Sequence, residues 1–177
     1  MAKVLIIVPH DRFRDEEFTA TYNALVDESH TVQVGSSHHT EATGHFGLTI
    51  KSDVNIGFVE PKDYDALVFI GGRGVEEYFT ESKIHNLIKN SVTERKIVGA
   101  IGLAVELLSY AGVLAGKRVT CHPDLIQSIQ GAGAYYTGRQ AEIDGNILTG
   151  VDERTKDAFV EELIKALRFA DERGRLN

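Results

Sequence analysis

The sequence predicts an α/β protein, a doubly wound sandwich in which a mostly parallel sheet carries helices on both faces. Continuous apolar runs at residues 4–8, 66–70 and 97–101 have the composition of strands covered on both sides. Helical patterns follow these runs, and strand–helix alternation with right-handed crossovers yields a parallel sheet. No Pro-rich or Gly/Ser-rich linker interrupts the pattern and prolines number only 3, so residues 1–177 are expected to form one domain.

The first run, Val4-Leu5-Ile6-Ile7-Val8, leads through a polar turn at His10-Asp11-Arg12 into a predicted helix over 15–28. Phe18, Tyr22, Leu25 and Val26 recur there at spacings of three and four, which predicts an inward face. Residues 31–34 read as the next strand. Alternation with turn residues over 45–58 predicts a β-hairpin or excursion beside the main sheet. The strand at 66–70 closes on Gly71-Gly72 and gives way to helical patterns through Asn90. The strand at 97–101 runs into Gly102 and a helix over 103–110. Strands are expected at 118–121, 141–143 and 146–148, with Asp144-Gly145 as the turn of a hairpin. A closing helix over 155–170 turns Phe159, Leu163, Ile164 and Leu167 inward.

Composition narrows the function. The 26 acidic residues outnumber 19 basic ones for a net charge of −7, and the basic residues form no run, so nucleic acid is not an expected partner. A single cysteine excludes an intrachain disulfide and a cysteine-rich zinc site. No apolar stretch approaches the roughly 20 residues of a membrane span, and the opening lacks a signal-peptide pattern. The expected compartment is the cytoplasm, with no membrane partner. His38, His39 and His45 read as a polar surface loop, since nothing beside them supplies a further metal ligand. Gly71-Gly72-Arg73-Gly74 lacks the Lys-Ser/Thr end and the spacing of a phosphate loop. Neither a metal nor a cofactor is expected.

Open α/β sheets bind ligands beyond the carboxyl ends of their strands. The most informative such end is Ile101-Gly102-Leu103, where a buried strand meets a helix with one residue at the junction. A Ser or Cys there is a nucleophile elbow, its side chain held over the helix start by a strained turn. Glycine has no side chain to hold, and a plain strand–helix turn is the alternative reading.

The whole chain resembles the ThiJ/PfpI superfamily, the DJ-1-like proteins of flavodoxin-like, class I glutamine amidotransferase-like fold. The matching pieces are Lys3-Val4-Leu5-Ile6, Glu17, Asp65-Ala66-Leu67-Val68-Phe69-Ile70-Gly71-Gly72-Arg73 and the elbow strand. They continue through Ala111-Gly112-Val113-Leu114-Ala115-Gly116-Lys117, Val119-Thr120-Cys121-His122-Pro123 and Asp144-Gly145-Asn146-Ile147-Leu148-Thr149, over about residues 3 to 169. The resemblance implies that Glu17 is the acid that bonds the family's nucleophile and Gly72 an oxyanion-site amide. It places His122 near the elbow. It also puts Gly102 where the reactive cysteine stands and Leu103 where a histidine often follows it. A homodimer or higher homo-oligomer is implied as well.

These matches make Glu17, Gly72, Gly102, Leu103 and His122 the expected pocket for a small polar or carbonyl-containing ligand. The expected function is binding, regulatory or structural, without family-type cysteine catalysis. Glu17 has an alternative as one acid of a solvated helix start, Asp15-Glu16-Glu17. If enclosed, its pKa rises and it donates a hydrogen bond. Cys121 reads either as an inert core thiol or as a displaced nucleophile beside His122. Neighbours on a strand face opposite ways, which argues against that pairing. The rival reading is a hydrolase, glyoxalase, amidase or protease-like enzyme using Cys121 with His122, or Glu17 with His122 as general acid and base.

Overall fold

The computed structural model describes residues 1–175; residues 176 and 177, the end of the expected domain, lie outside the described residues. Twelve strands and five α-helices follow in the order β1 (Lys3–Ile7), β2 (Asp11–Phe13), α1 (Asp15–Asp27), β3 (Thr31–Ser36), β4 (Glu41–Gly44), β5 (Thr49–Lys51), β6 (Val54–Asn55), β7 (Ala66–Phe69), α2 (Ser82–Thr93), β8 (Ile97–Ile101), α3 (Ala104–Tyr110), β9 (Arg118–Val119), α4 (Ile126–Gly131), β10 (Tyr135–Tyr136), β11 (Ala141–Asp144), β12 (Ile147–Gly150) and α5 (Lys156–Arg175). The main sheet runs β11-β12-β8-β7-β1-β3-β6. All of its neighbours are parallel except β11, which returns antiparallel on β12 through the expected hairpin. The fold is the doubly wound, flavodoxin-like sandwich.

Side chains alternate across the central strands, so each strand feeds two cores. Leu5 and Ile7 of β1 pack with Leu87, Ile88, Leu107 and Leu108 on one side. Val4 and Ile6 pack with Phe18, Leu25, Phe159, Leu163 and Leu167 on the other. The inward face expected of α5 is therefore realised. That of α1 is realised only in part. Phe18 and Leu25 are buried, while Tyr22 and Val26 are 37 % and 46 % exposed. Glu17 and Thr21 take the inward positions instead, so the helix is rotated about one residue from its apolar stripe.

Other departures have local causes. Residues 11–13 form β2, because a second small sheet, β2-β4-β5, lies beside the main one. The excursion expected over 45–58 thus begins at Glu41, and its last strand, β6, edges the main sheet. The strand expected over 118–121 is β9 alone, and it pairs with β10 outside the main sheet. Beyond Val119 the chain is diverted by Thr120, whose amide donates to Thr149 Oγ1 at 3.0 Å and whose hydroxyl donates to the Arg139 carbonyl.

Candidate functional site

The chain goes from β1 to β3 on one flank, and β7 then lies on the other flank of β1. That reversal in strand order is where an open α/β sheet leaves a crevice. A pocket of about 450 Å³ opens there, and Glu17, Gly72, Gly102, Leu103 and His122 all line it. The geometry therefore brings together every residue expected of the pocket. Cys121 is not among its lining residues.

Glu17 sits in the first turn of α1 with its side chain turned inward, 1 % exposed. Its Oε2 accepts the Gly71 amide at 2.8 Å. Burial pushes the carboxyl from an ordinary 4.5 up to about 8, against the Gly71 hydrogen bond and the Arg14 charge, which pull it down; Glu153 and Asp152 add to the rise. The solvated-helix-start alternative therefore does not describe Glu17. Asp15 is used differently. Its two oxygens accept the amides of Phe46 and Leu48, each at 2.9 Å, and tie the β4–β5 turn to the start of α1.

Gly102 has φ of 63°, the left-handed region that disfavours any residue with a Cβ. A Cβ built on it would stand 2.6 Å from Glu17 Oε1. The carboxyl therefore reaches into the space where a side chain at the elbow would begin. Gly72, at φ of 103°, is confined as closely, since a Cβ there would lie 2.3 Å from the Arg12 carbonyl oxygen. Neither the Gly72 nor the Leu103 amide has an intramolecular acceptor among the described residues.

Cys121 and His122 lie past the end of β9, yet they point apart. Cys121 is fully buried in the core with Leu107, Leu108 and Ile129, whereas His122 turns to the pocket. Burial, with help from the Glu106 charge, pushes the Cys121 thiol up to about 11, opposite to what a thiolate nucleophile needs. His122 Nδ1 accepts the Asp124 amide at 3.2 Å, capping the short turn at Pro123–Leu125. That bond leaves the proton of a neutral imidazole on Nε2.

Sequence reasoning missed the charged residues that complete the pocket. Arg14 faces Glu153 at 3.8 Å, and Arg154 clasps Asp152 through Nε at 3.1 Å and through its terminal nitrogen. Burial would raise the Asp152 carboxyl, but the Arg154 side chain, amide and charge together hold it below its ordinary value. Asp152 also caps the turn before α5, bonding the Arg154 amide at 2.9 Å. That Asp-x-x-Thr capping box was a visible signal. Arg73, directly after Gly71-Gly72, also lines the pocket and has no ion-pair partner among the described residues. The described residues contain no cluster of three or more His, Cys, Asp or Glu suited to a metal ion, and no helix long and apolar enough to cross a membrane.

Fold and site together define a flavodoxin-like α/β protein with a glycine at its strand–helix elbow and a buried acid beneath it. The chain belongs to the DJ-1/PfpI family, whose sequence profile matches residues 2–166. It is 34 % identical over 174 residues to an uncharacterized protein of Methanocaldococcus jannaschii, covering 97 % of this chain and 85 % of that one. It is 30 % identical over 166 residues to a protein named deglycase of Pyrococcus horikoshii, covering 94 % and 99 % of the two chains. The crystal structure of a ThiJ/PfpI domain protein from Brachyspira murdochii superposes with a TM-score of 0.90, covering 94 % of this chain and 96 % of that one. At 23 % identity that last likeness bears on the fold alone.

Proposed function

We propose that this chain is a DJ-1/PfpI protein that works without cysteine catalysis, binding a small polar or carbonyl-containing ligand as a homodimer in the cytoplasm. One observation carries the reading: Gly102 occupies the elbow with φ of 63°, and Glu17 Oε1 lies 2.6 Å from where a nucleophile's Cβ would stand. In the family's cysteine chemistry the elbow side chain attacks and neighbouring amides hold the oxyanion. Here Gly72 and Leu103 keep the amides, and nothing at the elbow can attack. The thiol in the core, pushed up to about 11, offers no substitute.

Relatives named deglycases direct the assay to glycated amino acids and small carbonyl compounds. The expected result is no turnover that depends on Cys121, together with slow alkylation of that thiol in the native protein, followed by intact mass against pH. Turnover abolished by Cys121→Ser, or fast alkylation with an apparent pKa below the free-thiol value of about 8.5, overturns the reading. A second reading has one observation in its favour, since Glu17 and His122 line the same pocket and could share acid–base activation of water. Turnover that survives Cys121→Ser and is lost in Glu17→Gln selects it.

Support for the dimer comes from α1. Tyr22 and Val26, four residues apart, leave an apolar strip in solvent; Phe18 stacks on Tyr22 at 5.6 Å, and Phe46, 68 % exposed, is anchored at the same helix's start by Asp15. Sedimentation is expected to show a dimer that Tyr22→Lys with Phe46→Lys converts to a monomer. An unchanged dimer in that variant rules this face out as the interface.

A further inference from the structure

We infer that the pocket at Gly102 selects small monocarboxylate anions over neutral carbonyl compounds, with Gly72, Leu103 and Glu17 donating to the carboxylate and Arg73 balancing its charge. This rests on the proposed ligand-binding role and specifies its chemistry.

Donors and acceptors are unequally used on the pocket floor. Its three carbonyls are already used. The Gly71 oxygen accepts the Arg14 amide at 2.9 Å, the Gly72 oxygen accepts Val75 at 3.2 Å, and the Gly102 oxygen accepts Val105 at 3.2 Å. The amides of Gly72 and Leu103 have no acceptor among the described residues. Glu17 Oε2 is engaged by Gly71, and Oε1 has no hydrogen-bond partner among the described residues. A carboxyl so enclosed keeps its proton at neutral pH, so Oε1 or its twin presents an O–H. At the elbow the groups without a partner are therefore chiefly donors. Only an acceptor-rich group satisfies them, and a buried donor left without one is costly. A neutral amide offers these donors one oxygen where a carboxylate offers two.

Charge makes the second cut. Arg14 and Arg154 are offset by Glu153 and Asp152, and Asp124 stands 84 % exposed beside His122 at the rim. Arg73 is the lining cation without an ion-pair partner among the described residues. With Glu17 neutral the lining sets Arg14, Arg73 and Arg154 against Asp124, Asp152 and Glu153, so a monoanion finds its counter-charge locally, in Arg73, the arginine that no carboxylate engages among the described residues. The groups facing Glu17 are Arg14 on its own segment and Glu153 and Asp152 before α5, with His122 and Arg73 across the pocket. Ionisation of Glu17 would place a second negative charge against the ligand.

The probes are pyruvate, which carries both a carboxylate and a ketone, and pyruvamide, which keeps the ketone without the charge. Titrations followed by the backbone amide resonances are expected to move Gly72 and Leu103 with pyruvate, at about tenfold higher affinity than pyruvamide. Pyruvate affinity is expected to fall about tenfold from pH 7 to pH 9 as Glu17 ionises. Glu17→Gln cannot ionise, so whatever affinity it has for pyruvate is expected to stay level between pH 7 and pH 9; a tenfold fall in that variant overturns the role given to Glu17. Arg73→Gln weakens pyruvate about three- to fivefold and leaves pyruvamide unchanged. Pyruvamide binding as tightly as pyruvate at Gly72 and Leu103 overturns the anion assignment while the ligand pocket stands. Pyruvate that moves neither amide overturns the inference outright, and cysteine-dependent turnover is the separate result that removes the proposed function.

Discussion

Glu17→Gln is expected to remove a loss of stability that the wild-type protein shows between about pH 5 and pH 8. The unfolded carboxyl titrates near 4.5 and the folded one at about 8, mainly because burial disfavours the charge. Between those values the folded state holds a proton that the unfolded chain has released. Stability is then fully present below the lower value and falls as pH rises to the upper one, by about 1.4 kcal/mol per pH unit. Glutamine is neutral in both states and keeps an acceptor for the Gly71 amide, so its profile lacks this slope. Urea titrations at pH 5, 6.5, 8 and 9 read the effect as wild type minus variant, which cancels the histidines common to both. Parallel profiles would mean that Glu17 ionises as an ordinary surface carboxyl and that the pocket floor is wetter than its burial implies.

Gly102→Ala is expected to cost about 2–4 kcal/mol, large for the addition of one methyl group. The backbone contributes roughly 1–2 kcal/mol, since φ of 63° crowds any Cβ against the following carbonyl. The rest comes from Glu17, whose Oε1 would lie 2.6 Å from the new carbon and whose carboxyl is held by Gly71. A double-mutant cycle separates the two. In a Glu17→Ala background only the backbone part is expected, about 1–2 kcal/mol. Equal losses in both backgrounds would show that the carboxyl does not compete for the elbow space. The cycle also bears on installing a thiol, because Gly102→Cys inherits the same crowding before any chemistry begins.

The sheet is legible in the sequence because strands covered on both faces, such as Ile97–Ile101, admit no polar residue and read as unbroken apolar runs. Gly102 is legible because it interrupts such a run where a helix must begin. The orientation of α1 is not, since Tyr22 and Val26 satisfy helical periodicity as well as Thr21 does and hydrophobicity alone favours them. What decides the rotation is the carboxyl of Glu17 reaching the Gly71 amide, 54 positions away. The same limit hides Arg14, Asp152, Glu153 and Arg154 from a reading along the chain, because they meet at the pocket only after α5 docks against α1 and β12. Asp152 alone announced itself, through its cap. The weak β2 and β9 follow no periodicity, being three and two residues long and defined by their partners.

The burial of Cys121 has a consequence for life among oxidants. Peroxide attacks thiolates that it can reach, and the first rung of cysteine oxidation requires both conditions. This chain's single cysteine meets neither, being fully enclosed and protonated far above neutral pH. Its one methionine stands at the opposite extreme, 78 % exposed at the first residue. The folded protein thus presents no accessible thiolate to an oxidant, and the pocket owes none of its lining to a thiol.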